Sequence, residues 1–378
     1  MNDLSLNAQA IILLTAYFNK GDKPLTIMEY SKFASWLLQN NMKPSDLLEL
    51  NAREVLENWD DTKITQDRIL SLLSRGNAMA ISLQKWQNCG IWIITRADPE
   101  YPVRLKKRLG QKAPPILYGA GNKKILNTKG VAIIGSRDAS SDDLDFTFKL
   151  GEKLAQSGYS VVSGAARGID ESSMLGSINA DGTTIGVVAD ALMQKVLSKK
   201  YRDAIRNNNL VLISPYYPDA RFSAGNAMGR NKYIYVLAES SIVIHSGLKG
   251  GTWEGAKENF KNGWVSLFVK KNDDVNSGNQ KLLEMGGLEL KDLDSLDYLF
   301  TTNQDVKTAT VSKKEALDKR ILELLSLEKL TLKEIAEKLE EAQNIVKKTI
   351  DELLNSGDIE KHPTSPLRFS KAIKLPGL

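Results

Sequence analysis

The chain predicts an α/β fold: a parallel sheet with helices on both faces, preceded by an N-terminal helical domain and followed by a C-terminal winged-helix domain. Three observations lead there. From residue 131 to 269, short apolar runs of buried-strand length alternate with helical segments. Several runs stop at a glycine with a basic residue close behind, which suits a sharp turn from a buried parallel strand into a helix. The 378 residues also suffice for two or three domains.

Each region has its own reason. In residues 1–95, apolar positions at helical spacing predict helices over Leu6–Phe18, Met28–Gln39 and Ile69–Trp86. Pro44-Ser-Asp46 opens another, with Ser45 or Asp46 as its cap. Residues 96–130 read as a connector into the core. It holds Arg96-Ala-Asp-Pro-Glu-Tyr-Pro102, the basic run Arg104-Leu-Lys-Lys-Arg108 and Ala113-Pro-Pro-Ile-Leu-Tyr-Gly119. The basic run is read as a solvated helix face in preference to a nucleic-acid contact. Strands are predicted at 131–134, 159–163, 183–189, 210–213, 241–245 and 264–269, with helices between them such as Asp142–Gln156 and Asn226–Ala238. The core is therefore placed at 96–270.

Residues 271–314 are polar, acidic and turn-rich, and read as a linker. In residues 315–378, Glu315–Leu325 is an amphipathic helix. Thr331 and Glu334 stand in capping-box spacing, and a third helix covers Gln343–Asn355. Asp358-Ile-Glu-Lys361 and Phe369–Ile373 can pair as a hairpin. Three helices and a hairpin are the winged-helix layout.

Composition narrows the chemistry. Cys89 is the only cysteine, so an intrachain disulfide and a cysteine-based zinc site are excluded. His245 and His362 are the only histidines, and no metal or cofactor is expected. No apolar run reaches membrane-spanning length and Met1–Asn19 lacks a signal-peptide pattern, so a cytoplasmic chain is expected. Net charge is +5; residues 113–270 hold 19 Lys+Arg against 14 Asp+Glu, while residues 315–378 hold 11 against 12. Polyanion contact is therefore sought in the middle of the chain.

The candidate site lies at strand ends there. Val131-Ala-Ile-Ile-Gly-Ser-Arg137 supplies Gly135, Ser136 and Arg137: a glycine for close approach, a hydroxyl donor and a bidentate cation. Val161-Val-Ser-Gly-Ala-Ala-Arg-Gly-Ile-Asp170 repeats the logic with Ser163, Gly164, Arg167 and Gly168; Asp170 reads as an N-cap or an arginine partner. Arg230, Asn231 and Lys232 lie on a later helix. Lys249, Gly250, Gly251 and Thr252 suggest a third anion-binding helix N-terminus, with Thr252 as cap. His245 reads as a packed strand-end residue. There is no Walker run, no Gly-x-Ser-x-Gly elbow, no paired-histidine motif and no three-glycine dinucleotide fingerprint.

In order, Asp98-Pro-Glu-Tyr-Pro102, Ala113–Gly119, Val131–Arg137, Ser163–Asp170 and Arg230-Asn-Lys232 resemble the DNA-processing protein A family (DprA, also called Smf), over about residues 97–269. The resemblance implies a Rossmann-like core that binds single-stranded DNA through phosphates, self-associates as a homodimer and helps load the RecA recombinase. It implies no catalysis. It also implies that Gly135, Ser136, Arg137, Ser163, Gly164, Arg167, Gly168, Arg230, Asn231 and Lys232 line the phosphate pocket. The chain departs from the usual family pattern at Asp170–Met174, Ala224–Gly229 and Ser246–Glu254, and reads as a divergent member.

Two other readings stay open. The same pocket can hold a small nucleotide-derived ligand, with the winged helix signalling to a partner, as in a phage-defence or toxin–antitoxin module. The segment with Arg230 and Gly251-Thr-Trp-Glu254 also resembles the nucleoside-monophosphate phosphoribohydrolases of the LOG family. There Glu254 would be the acid and Arg230 the clamp. In the winged helix, Gln343, Asn344, Lys347 and Lys348 can face a major groove, but Glu340, Glu341, Asp351 and Glu352 flank them. A protein-contact role is preferred for that domain.

Overall fold

The computed structural model describes residues 4–19, 21–272, 277–291, 293–300, 317–339, 341, 343–355 and 358–372, without the side chains of 344, 345, 348, 352 and 355. The chain divides into two compact units, residues 1–300 and 301–378.

The first unit is built on a nine-stranded sheet with strands β1 (Ile91–Thr95), β2 (Ile116–Gly121), β3 (Gly130–Ile134), β4 (Ser160–Ser163), β5 (Thr184–Val187), β6 (Leu210–Ser214), β7 (Ser240–Val243), β8 (Ser266–Val269) and β9 (Leu288–Glu289). They stand in the order β1-β2-β6-β5-β4-β3-β7-β8-β9. From β6 to β9 every pairing is parallel; β1 and β2 are antiparallel additions at the β6 edge. The central strands are buried on both faces and read as continuous runs such as Val131-Ala-Ile-Ile134. The order β5-β4-β3-β7-β8-β9 is that of a doubly wound Rossmann sheet. The chain leaves β3 in one direction through β4, β5 and β6, then returns to β3's other side as β7. The topological switch point therefore lies between β3 and β7, and ligands bind outside the carboxyl ends of the strands there.

The six strands expected from the sequence all form, within a few residues of their predicted limits. Strands β1, β2 and β9 were not expected. The first two fall in segments read as helical or connecting, and β9 is two residues within the predicted linker. All three are edge or near-edge strands whose existence depends on a neighbour, not on a long apolar run.

Six helices precede or flank β1: α1 (Leu6–Thr15), α2 (Ile27–Gln39), α3 (Asp46–Glu49), α4 (Ala52–Val55), α5 (Gln66–Leu73) and α6 (Gly76–Asn88). They pack into the same apolar cluster as one face of the sheet. α1 is apolar nearly all round, so it is buried at the centre of this group. Trp86 on α6 meets Tyr118 on β2 edge to face at 5.0 Å, which joins the helices to the sheet. The single helix predicted over Ile69–Trp86 is broken between α5 and α6. Arg75 stands at the break, and its guanidinium turns back to Asp22 at 2.7 Å and donates to the carbonyls of Leu13 and Ala16 at the end of α1. Ser45 stands at the start of α3 without a side-chain cap bond; the Asp46 carboxylate accepts from Lys43 N instead.

The remaining helices of the first unit are α7 (Val103–Leu109), α8 (Ser141–Gln156), α9 (Ile169–Asn179), α10 (Leu192–Leu197), α11 (Lys199–Arg206), α12 (Ala224–Leu237), α13 (Gly251–Asn262) and α14 (Gly278–Glu284). α8 and α9 lie side by side. Their close approach needs Gly151 and Gly176, because a Cβ at either would sit 2.3 or 2.0 Å from a carbonyl oxygen of the other helix. On α7, Arg104 bonds Glu239 at 2.8 Å, and Arg108 donates to the carbonyls of Val236 and Ala238 at the end of α12. These two cations hold α7 onto α12.

In the second unit α15 (317–327) is followed by α16 (Leu332–Leu339), α17 (Gln343–Asn355) and the antiparallel pair β10 (Ile359–His362) and β11 (Arg368–Lys371). Ile321, Leu325, Ile335, Val346, Ile350 and Phe369 form its core. The capping box is present: Thr331 Oγ1 accepts from Glu334 N, and Glu334 accepts from Thr331 N. Glu340 and the side chains of Asn344, Lys348 and Glu352 lie outside the described residues.

One ion pair gives the first unit a defined acid response. Glu29 accepts two bonds from Arg68, at 2.8 and 3.1 Å, and one from Thr26 N at 2.8 Å. The Arg68 bonds, with those from Thr26, hold its carboxyl at about 2. A depressed folded value means the contribution is complete above the unfolded value and is lost as pH falls toward 2. In urea titrations, Glu29→Gln is expected to cost about 2 kcal/mol at pH 7, with the two proteins converging only as pH falls through about 2.

Candidate nucleic-acid interface

Three strand-to-helix turns meet at the switch point. β3 runs into Gly135-Ser-Arg137 and then α8, which is capped by Ser140 Oγ. β4 runs through Gly164–Gly168 into α9. β7 runs through His245–Gly250 into α13. Ser136 N donates to the His245 carbonyl at 3.0 Å, so the first and third turns are tied together. The first and second are locked by size: a Cβ on Gly135 would press on Ile169 at 2.6 Å, and one on Gly168, whose φ is +88°, would meet the Ser136 carbonyl at 2.6 Å.

The crevice between these turns has a volume of about 410 Å³. Gly135, Ser136, Arg137, Arg230, Asn231, Lys249, Gly250, Gly251 and Thr252 line it, together with Phe222 and Met228. A second cavity of about 250 Å³ adjoins it, sharing Arg137, Ala166, Phe222 and Arg230. Gly164, Arg167, Asp190 and Lys195 complete that wall. Arg230 is thus common to both.

Arg230 is 4% exposed. Its Nη1 stands 3.7 Å from Asp170 Oδ2, and its Nε and Nη1 have no hydrogen-bond partner. Burial pulls the guanidinium below its ordinary value and Asp170 opposes this. An arginine remains charged even so. Burial likewise pushes the Asp170 carboxyl up, against Arg230, Arg137 and the amides of Ala166 and Gly135. Asp170 is therefore the arginine partner that one sequence reading expected; Gly168 holds the N-cap position of α9. Gly164 is required by this pair, since a Cβ there would lie 1.5 Å from Arg230 Nη1.

Arg137 is exposed and stacks its guanidinium over the Phe222 ring at 5.3 Å. Arg167 is also exposed, and pairs with Asp138 at 2.5 Å. Asn231 donates to the Gly251 carbonyl at 3.0 Å and so fixes α12 against the start of α13. That helix begins at Gly251 with Gly250 in the cap position and no side-chain cap. Thr252 is its second residue, not the cap expected from the sequence. Gly250, Gly251 and Thr252 at its start line the crevice, and the first amides of a helix are the ones left without intrahelical partners.

Three expected residues stand outside the lining of both cavities: Ser163, Lys232, and Gly168, which packs against the backbone of Ser136 and Arg137. Ser163 is fully buried, and its hydroxyl donates to the Ile133 carbonyl at 2.6 Å. It stitches β4 to β3 and does not face the crevice. Lys232 lies over the Tyr233 ring at 5.0 Å; burial and then Glu258 and Lys112 set its charge balance. Two residues beyond Arg230 on a helix, its side chain points to another face. Glu254, the alternative catalytic acid, is exposed and paired with Lys257 at 2.9 Å, outside the crevice lining. His245 contacts Asp143 at 3.3 Å.

Sequence reasoning missed Phe222, Met228, Asp190 and Lys195 among the lining residues. Lys195 Nζ donates to the Ala165 carbonyl at 2.8 Å, holding a residue at φ +50°. Phe222 carried a faint signal, an aromatic beside Arg221 in a polar loop before the Ser223 cap of α12. Asp190 and Lys195 carried none, because they reach the site only when β5 is placed beside β4.

Fold and site together define a doubly wound α/β protein with an arginine-centred crevice at its switch point. The family model for DNA recombination-mediator protein A matches residues 92–298, more than half of the chain, and the chain belongs to that family. Among curated relatives, Protein Smf of Synechocystis is 29% identical over 181 residues, 46% of this chain and 45% of that protein. The DNA processing protein DprA of Bacillus subtilis is 26% identical over 209 residues, 54% of this chain and 69% of that one. The match to the Synechocystis protein therefore spans less than half of its length. The solved structure of DNA processing protein A from Streptococcus pneumoniae shares the fold, with a TM-score of 0.59 over 81% of this chain and 98% of that chain, at 18% identity. These matches name DNA-processing proteins and no enzyme family. No helix among the described residues is long and apolar enough to cross a membrane.

The Arg230 seat gives a direct test of the geometry. Gly164→Ala is expected to displace the guanidinium and to weaken oligonucleotide binding by about tenfold or more, the cost of one charge-assisted contact. Isothermal titration with a thymidine oligomer, beside a circular-dichroism check of the fold, measures it.

Proposed function

We propose that the switch-point crevice binds single-stranded DNA by its phosphates, without catalysis, and that the chain serves recombination by recruiting or loading a RecA-type recombinase. The observation that carries this reading is Arg230: a buried cation with unpartnered N–H groups, at the junction of two cavities and facing helix N-termini. Such fixed donors suit a phosphate oxygen and offer nothing to hydrolyse it. Arg137 and Lys249 add exposed charge above it, and Phe222 and Met228, 57% and 49% exposed, give bases an apolar face. Family membership supports the same reading. The proposal extends to a cytoplasmic homodimer whose residues 315–378 form a winged helix for a protein partner.

A crevice of this volume also suits a small ligand, so a nucleotide sensor is the second reading. The phosphoribohydrolase reading has less support, because Glu254 is engaged with Lys257.

Fluorescence anisotropy with a labelled single strand and its duplex, over a salt series, tests the proposal. The single strand is expected to bind more tightly. In the Arg137→Ala/Lys249→Ala pair the slope of log affinity against log salt is expected to fall by about 1.4, at ~0.7 per phosphate contact. Saturable mononucleotide binding at physiological salt, with no gain from length, would transfer the site to the sensor reading. Release of free base from a nucleoside monophosphate would transfer it to the hydrolase.

A further inference from the structure

We propose that the bound single strand leaves the crevice across the carboxyl ends of β4 and β5 and continues over the basic corner formed by α10 and α11, where Lys199, Arg202 and Arg206 hold its next phosphates. This rests on the single-strand reading of the crevice.

Continuity comes first. Lys195 on α10 lines the smaller cavity and bonds the Ala165 carbonyl, so α10 begins where the crevice ends. Lys200 on α11 bonds Glu171 at 2.6 Å, one turn into α9, whose N-terminus opens the crevice. α11 is therefore fastened beside the site by one lysine, and its other cations stay outside that tie.

Charge comes second. α11 reads Lys-Lys-Tyr-Arg-Asp-Ala-Ile-Arg, with four cations and one acid. Tyr201 and Ala204 are its buried face. Lys199, Arg202 and Arg206, at i, i+3 and i+7, share the exposed one. Asp203 is the single acid available to both arginines, at 3.7 and 3.3 Å, and all three side chains are more than half exposed. Surface pairs of this kind contribute little to folding, about 0–1 kcal/mol. The fold does not need this excess; a polyanion does.

The third observation is Leu197. It is 60% exposed and stands between Lys195 and Lys199, on the path from the cavity to α11. An apolar contact flanked by cations suits a base or sugar between phosphates better than it suits a free anion.

The triple variant Lys199→Ala/Arg202→Ala/Arg206→Ala leaves Lys195, Lys200 and the crevice intact. Anisotropy is measured on the full chain with thymidine oligomers of about 4 and about 16 nucleotides, across a salt series. The short oligomer is expected to bind as in the parent. The long one is expected to lose about tenfold or more, with a salt slope lower by about 2 for three lost contacts. A long oligomer held as tightly by the variant as by the parent overturns the path while the crevice reading survives. Equal losses for both lengths overturn it as well, since the helix would then act on the crevice itself. Failure of the parent to bind either oligomer overturns both readings.

Discussion

The crevice depends on one buried cation. Arg230 sits inside the protein with its nearest carboxylate, Asp170, at 3.7 Å, too far for the close bidentate pairing that a buried guanidinium otherwise adopts. Taking such a charge out of water costs several kcal/mol, which one distant carboxylate offsets only in part. The surroundings are shaped by this. Gly164 has no side chain because the guanidinium occupies that space. Gly168 takes a backbone conformation that brings α9 forward, and Gly135 lets Ile169 close the floor. Asn231 then ties α12, the helix that carries Arg230, to the start of α13.

Donors around this cation are mostly fixed. Backbone amides at the starts of α9 and α13 are set by the sheet, and Arg230 is held by packing. Arg137 and Lys249 are exposed and adjustable. A rigid floor with flexible cations above it suits a ligand whose phosphates recur and whose bases vary. Charge alone recruits such a ligand, whereas Phe222 and Met228 offer it a surface that a simple anion would not use.

The basic residues outside the crevice divide by what they touch. Arg75 ends α1, Arg68 ties α5 to α2, and Arg104 and Arg108 clamp α7 to α12; each meets a carboxylate or several carbonyls. In the run Arg104–Arg108, Arg104 and Arg108 are thus architectural, while Lys106 and Lys107 stay on the exposed face that the sequence predicts. α11 is less conspicuous in sequence, yet its exposed cations outnumber their acid.

The amino-acid sequence by itself determined the central sheet. Buried parallel strands need continuous apolar runs, and glycine turns mark their ends, so β3 to β8 and the Gly135–Arg137, Gly164–Gly168 and Lys249–Thr252 turns were legible. Tertiary structure decided the rest, for reasons of partnership. β1, β2 and β9 exist because an edge was available to pair with. Ser163 and Lys232 carry the right chemistry but point into the sheet and to another helix face. Lys195, Asp190 and Phe222 join the site through the strand order. The pairing of Arg230 with Asp170 joins residues sixty apart along the chain. No local pattern encodes that contact, because its cause is the crossing of the chain from β6 back to β7.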